Sequence, residues 1–407
     1  GDMKFGSFNV NAGDELDLNG QRAVFGGNFS LTGTLSDTAT GAFAYFKGTY
    51  TRSGGHSDLT NTLTTFVAEG GGTSDYYNPV PRRFVVNTDS TITFNNPLNE
   101  ASAGSSDYIV AAGTVNANNQ NINGKNQIVI ATGGEHQAGS STITCKGDFT
   151  TSGGLIGKSA MVVSGDNDYE GMSVTELQSQ GDWNFSGSEG ITIEGWFKFD
   201  DLDFGSGNDA ILAGMVRSGD TTGKRYGLGL QIMDDKVMAI AANNDTAHTH
   251  FDNCSFPVTD MTAGKWHHLA MTADANNSST PVTKLYLDGK LKKQVTGVTS
   301  IHYNYNFTVG GYADNLDSQG WTNRRMDGTI ARVSAFRQEM TAAQIRSMMF
   351  TTYTEMAALS SGVDEAKCVG WWQFDEGTGT SVDNKGTAGA PPSSDHSNFD
   401  GVIASAG

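Results

Sequence analysis

GITIEGWFKF at 190–199 alternates without a break: Ile191, Ile193, Gly195, Phe197 and Phe199 fall on one side, and Thr192, Glu194, Trp196 and Lys198 on the other. A period of two in β-branched and aromatic residues marks a strand with one face turned to a core. Downstream, YGLGLQIM (226–233) and KVMAIAA (236–242) flank the Asp234-Asp235 turn and read as a hairpin. TKLYLDGKLKKQV (283–295) is a firmer hairpin, because Asp288-Gly289 supplies the positive φ that a type I′ turn demands. The one clear helix is short, TAAQIRSMM at 341–349, with Thr341 and Gln344 as a capping box and Ile345, Met348 and Met349 as its apolar stripe. Many strands, one short helix and no β–α alternation describe an all-β domain of two packed sheets.

The overall composition agrees. The 407 residues carry 26 Lys and Arg against 44 Asp and Glu, a net charge of −18, with 52 Gly and only 7 Pro. Displacing counterions from phosphate needs a basic surface, so neither nucleic acid nor an anionic membrane is an expected partner. No apolar run approaches the roughly 18 residues that span a bilayer, so membrane insertion is not expected. The opening GDMKFGSFNVNAG has no basic-then-apolar leader, which points either to a leader already removed or to release by another route. Cys145, Cys254 and Cys368 are too few and too scattered for a disulfide scaffold or a zinc site, and read as small buried apolar residues.

Residues 1–157 differ from the remainder of the chain. They hold no Trp and consist of short Thr/Asn/Gly-rich strands such as AVFGGNFSLTGTL (23–35), RRFVVN (82–87) and NQIVIATGG (126–134). One phrase recurs, as GNFSLTG (27–33), GTYTRSG (48–54) and GDFTTSG (147–153). The first two copies lie 48 − 27 = 21 residues apart, about one coil of a β-solenoid, whereas the third lies 147 − 48 = 99 further on, which is not a multiple of 21. The reading is a β-solenoid-like stack, with an ordinary β-sandwich as the alternative. Stacked coils leave strand edges at their ends, which suits an anchoring or assembly segment and makes a homo-oligomer or a docked partner expected.

Six phrases then occur in order: SAMVVSGDNDYEGMSV (159–174), ITIEGWFKFDD (191–201), KWHHLAMTADANN (265–277), TKLYLDGKLK (283–292), FTVGGYADN (307–315) and MDGTIARVSAFRQEMTAAQI (326–345). Together they resemble the laminin-G-like, concanavalin-A-like jelly-roll family over about 158–350. The resemblance implies a jelly-roll sandwich at 158–375, with 376–407 as a C-terminal loop or tail. One departure stands out. VGWWQFDEGTGTSVDNKG (369–386) looks like the strand that usually opens such domains, yet here it comes last. It either pairs back into the sheet, as in a circular permutation, or begins a second copy. Pairing back is preferred, because Trp371, Trp372 and Phe374 would otherwise form exposed apolar surface.

Signatures of catalysis are largely missing: there is no Walker A, no dinucleotide glycine fingerprint, no HExxH and no GxSxG elbow. Glycosidases on related jelly rolls carry alternating carboxylates on one strand, but this strand offers Glu194 alone. Glu194 reads as a solvent-side sheet residue, and no enzymatic activity is expected. His267 and His268 point to opposite faces of one strand and read as packing; His248 and His250 share a face but have no third ligand. The resemblance implies a calcium ion near the turn after the first strand and the turn before a late one, at Asp166, Asp168 and Asp327. Turn chemistry alone selects the same residue types. Glycan recognition is the family's frequent use, through aromatic faces and polar side chains at loops. The matching loop residues are Tyr303, Tyr305, Tyr312, Trp321, Asn323 and Arg324, although alternation in HYNYNF equally suits tyrosines on a core face.

These features suggest a virion structural protein: a capsid decoration, fibre or tail-associated protein of a bacterial virus. Its N-terminal segment would dock on capsid or tail proteins of the same particle, and its jelly roll would face host-surface polysaccharide from the virion surface. The alternative is a secreted or cell-surface glycan-binding adhesin, placed extracellularly. A polysaccharide-active enzyme is the remaining reading.

Overall fold

The computed structural model describes residues 2–39, 41–53, 56–59, 64–75, 81–98, 106–125, 127–131, 133–147, 149–153, 155–156, 159–164, 171–174, 190–204, 209–217, 225–233, 235–245, 254–274, 282–296, 306–311, 326–356, 362–386 and 401–404. The fold is all-β, with 58% strand and 6% helix, and it divides near Leu155 into two compact units.

The first unit is a β-solenoid, which decides against the sandwich alternative. Met3–Phe5, Arg22–Phe25, Phe43–Phe46, Thr65–Ala68, Arg83–Phe94, Asp107–Asn116, Gln127–Ala131 and Phe149–Gly153 stack in that order in one parallel sheet. Phe8–Val10, Phe29–Leu31 and Tyr50–Arg52 form a second parallel sheet, and Glu15–Asp17, Thr34–Ser36 and His56–Asp58 a third. Parallel pairing of consecutive strands forces the chain to travel right round before it meets itself, so residues one coil apart lie on top of one another.

The interior is filled by aromatic ladders. Phe8, Phe29 and Tyr50 share a register position and stack at 6.4 and 5.2 Å between ring centroids. Phe5, Phe25 and Phe46 do the same at 5.1 Å for each step. The Asn, Ser and Thr content is used at the corners, where the side-chain oxygens of Asn28, Asn119 and Asn121 accept from the backbone N–H of Thr49, Ser140 and Thr142, each 21 residues on. Gly48 is required by close approach, since a Cβ there would lie 2.6 Å from the Gly27 backbone in the coil beneath.

The recurring phrase is explained by this geometry. Its first two copies are equivalent, with Phe29 opposite Tyr50 in the second sheet. The third is not: Phe149 pairs with Ile128 in the first sheet. The period has slipped by then, because Thr65 pairs with Arg83 and Arg83 with Asp107, steps of 18 and 24 residues.

The second unit is the expected sandwich of two antiparallel sheets. One runs Met161–Ser164, Asp327–Phe336, Ile191–Phe199, Trp266–Ala273, Val282–Leu287 and Lys290–Thr296, with Cys368–Trp372 also on Asp327–Phe336. The other runs Ser255–Pro257, Lys236–Asp245, Arg225–Met233, Asp209–Arg217, Phe307–Val309, Gly171–Val174, Gly401–Ala404 and Ser381–Val382. Asp288 and Gly289 take φ of 48° and 68°, as a type I′ turn requires. Ile191, Ile193, Phe197 and Phe199 face the core between the sheets, with Leu212, Leu230, Met271 and Ile330.

The late phrase pairs back: Val333 lies opposite Trp372, and Trp371 and Trp372 are fully buried. Trp372 stacks on Phe307 at 4.9 Å between the sheets. The segment 376–407 contains more than the loop or tail that its sequence suggests. Ser381–Val382 and Gly401–Ala404 are strands of the second sheet, held by Gly171–Val174. Such short strands carry little periodicity of their own, and Gly401–Ala404, on which Ser381–Val382 pairs, finds its own partner more than two hundred residues earlier in the chain.

Ala342–Met348 is the helix marked by its capping box. Thr341 N donates to Gln344 Oε1 at 2.9 Å, and Gln344 N donates to Thr341 Oγ1 at 3.3 Å. With the short helix Tyr353–Met356 it covers the outer face of the first sheet, where Ile345, Met348, Met356, Phe336 and Trp371 form a second apolar layer. Thr341→Ala should cost about 1 kcal/mol. Urea titration followed by tryptophan emission measures this, and an unchanged midpoint would mean that the cap contributes nothing.

Candidate functional site

That second layer overturns the solvent-side reading of Glu194. Its carboxylate is wholly buried and accepts from His268 Nε2, Arg332 Nη2 and Ser334 Oγ. Arg332 also donates to the carbonyls of Met348 and Thr351 at 2.8 and 2.9 Å and lies over the Trp371 ring at 4.6 Å. Burial alone would raise the Glu194 pKa, but Arg332, His268 and Ser334 outweigh it and hold the acid at about 2. No substrate can reach this cluster. It binds the helical layer to the sheet and is structural. The sequence did contain a signal for it: an arginine within the apolar alternation IARVSAF needs a buried partner. His267 lies on the opposite face of its strand, with Nδ1 3.1 Å from an Asp288 carboxylate oxygen.

Of the residues proposed from sequence, Asp327 is among the described ones, and it lies elsewhere, at one end of the sandwich. Ser164 lies opposite Asp327, and Phe199 opposite Gly328. Asp200 N donates to the Asp327 carbonyl at 3.1 Å. In the other sheet Met172 lies opposite Val309, and Met326 N donates to the Gly310 carbonyl at 3.1 Å. The chain therefore leaves the first sheet at Ser164 and enters the second at Gly171. It leaves the second after Gly311 and enters the first at Met326. Both crossings start and end at the same rim. Backbones crowd there: a Cβ on Gly328, at φ +149°, would lie 2.0 Å from the Lys198 carbonyl.

Asp200, Asp201, Asp203 and Asp327 are exposed at this rim. Lys198 is buried beneath it; desolvation lowers its pKa, against the opposing pull of Asp200. The crossing 165–170 carries Asp166 and Asp168, and the crossing 312–325 carries Tyr312, Trp321, Asn323 and Arg324. All of these, with Tyr303, Tyr305, His248 and His250, lie outside the described residues. The chain reaches Phe307–Val309 from the 303–305 side at Phe307, opposite Val174, which is the end away from the rim. A calcium ion needs six to eight oxygens. Among the described residues Asp327 is the one member of its expected set, and no group of three or more His, Cys, Asp or Glu is arranged to hold a metal.

Two antiparallel sheets, a helical layer on one face and crossings that begin and end at one rim define a lectin-type jelly roll. Residues 159–346 match the model of the concanavalin A-like lectin/glucanases superfamily, and this stretch is a domain of that kind. Solved structures similar to the chain include a protein from Bacteroides ovatus described as carbohydrate binding, at 15% identity and TM-score 0.38; the alignment covers 58% of this chain and 56% of that one. Another is the CBM40 of the Ruminococcus gnavus IT-sialidase bound to α2,3-sialyllactose, at 17% identity and TM-score 0.34, covering 48% and 100%. A third is a heptameric SAP-like pentraxin from Limulus polyphemus, at 10% identity and TM-score 0.30, covering 46% and 78%. This chain thus spans a little over half the length of the first of them. No curated protein sequence matches the chain. Among the described residues no helix is long and apolar enough to cross a membrane.

Proposed function

We propose that the chain is a structural protein of a virion surface whose sandwich binds host-surface polysaccharide at the rim, and that it acts by binding and not by catalysis. The observation that carries this reading is the shared rim: the crossings that hold Tyr312, Trp321, Asn323 and Arg324, and those that hold Asp166 and Asp168, begin and end beside Asp327. Aromatic faces stack on sugar C–H surfaces, while Asn and Arg bond to hydroxyls. Calcium held by Asp166, Asp168 and Asp327 would order the acidic turn beside them. The solenoid serves as the anchor on capsid or tail proteins. Several copies on one particle would raise a weak single-site affinity.

A polysaccharide array probed with the full chain, with and without EGTA, tests the binding reading. One or more glycans should be retained, with Trp321→Ala and Arg324→Ala each weakening binding by about tenfold or more. Retention should also fall in EGTA. No retained glycan, or variants that bind like the parent, would defeat it. Antibody labelling in the electron microscope tests the location: label on particles supports the virion role, and label confined to the cell envelope assigns the chain to an adhesin.

A further inference from the structure

One edge of the first sandwich sheet is built from two segments laid end to end. Met161–Ser164 pairs with Asp327–Phe336 from Ile330 to Asp327, and Cys368–Trp372 pairs with the same strand from Phe336 to Val333. The chain covers the outer side of the second segment itself. Asn384 bridges Trp372, Lys385 N donates to the Trp371 carbonyl at 3.0 Å, and Trp371 N donates to Asn384 Oδ1 at 2.8 Å. The cover then stops, because Ser381–Val382 turns away to pair with Gly401–Ala404 in the other sheet. Among the described residues no strand covers Met161–Val163.

Where the cover ends there is a pocket of about 270 Å³. Met161, Val382 and Ile403 line it with Ser159, Glu376 and Thr378. Val162 beside it is 69% exposed. Its mouth is acidic: Glu376 and Asp383 are exposed, and the Glu376 carboxylate accepts from Asp383 N at 2.9 Å.

We propose that this half-edge docks an extended peptide segment of a partner protein, which adds as a strand to Met161–Val163 and seats one apolar side chain, flanked by lysine or arginine, in the pocket. The line of such a strand is already set by residues 384–386, which it would continue. An open strand edge offers main-chain donors and acceptors that only another strand can fully use. The pocket is large enough for one apolar side chain, and it lies directly beside the strand edge. The acidic mouth favours a basic partner, and a net charge of −18 disfavours a second copy of the chain.

The probe is a fluorescein-labelled peptide of alternating lysine and valine, titrated against the full chain by fluorescence anisotropy. The control peptide keeps every lysine but has proline at each valine position, so it has the same charge and cannot form a strand. The parent chain should bind the first peptide with a dissociation constant in the ~10 μM range. The proline peptide, Val162→Lys and Glu376→Lys should each weaken binding by about tenfold or more. Circular dichroism checks that both variants fold, and the proline arm needs no variant at all. Absence of binding, equal binding of the proline peptide, or both variants binding like the parent would overturn the proposal. Dimerisation in sedimentation that Val162→Lys abolishes would overturn it too, by giving the edge to a second copy.

Discussion

Arg332→Met should lower the unfolding free energy of the sandwich by about 3–5 kcal/mol, because it leaves the Glu194 carboxylate buried without its main counter-charge. The double replacement Glu194→Gln with Arg332→Met should recover most of that loss, since the cost lies in the stranded charge and not in the missing contact. No Trp occurs in the first 155 residues, so tryptophan emission during urea titration follows the sandwich. The pH dependence gives an independent check. Glu194 is held at about 2 against an ordinary 4.5, despite the burial that would raise it. A depressed acid stabilises the fold above its unfolded pKa and loses that contribution as pH falls from 4.5 towards 2. The loss in the parent should approach about 3 kcal/mol. In Arg332→Met the dependence over that window should shrink, because protonation now relieves a stranded charge. Identical pH slopes in parent and variant would rule out the network as the source.

Phe46→Ala should cost the solenoid about 3–5 kcal/mol. Phe46 is fully buried in a middle coil, stacked on Phe25 at 5.1 Å and set against Phe29, Tyr50 and Phe66 at 5.3, 5.0 and 5.1 Å. Neighbouring coils are pinned by their own strand pairings, so they cannot collapse far into the space left behind. Thr51→Ala, exposed on the second solenoid sheet, should change stability by less than about 0.5 kcal/mol. Urea unfolding followed by far-ultraviolet circular dichroism compares the two. Equal effects would show that the aromatic ladder is not the core of this unit.

How legible each element was depends on how local its cause is. The Asp288-Gly289 turn and the Thr341 cap rest on residues within a few positions of one another, and both form as their sequences suggest. The alternation at 190–199 correctly gave a core face. It could not show that the other face is buried as well, because the covering helical layer arrives some 150 residues later, at Trp196 and Met349. The solenoid repeat was visible in two copies and hidden in the third, because coils of unequal length break a fixed period while leaving the stacking intact. For the rim, the residue types were readable from the loops, whereas the shared position of the strand ends that flank 165–170 and 312–325 depends on register across both sheets.

By itself the sequence determined a chain of strands, with an acidic surface, a Trp-free repetitive first part and a jelly-roll order in the second. Those properties come from side-chain periodicity, turn chemistry and composition, all of which act over short stretches. Only the tertiary structure decided that Glu194 sits in a buried ion network and that Cys368–Trp372 completes an edge begun by Met161–Ser164. It alone also set the starts and ends of the two crossings at one rim of the sandwich. Each of these depends on pairing between residues more than a hundred positions apart, where burial and register, and not local preference, choose the partner.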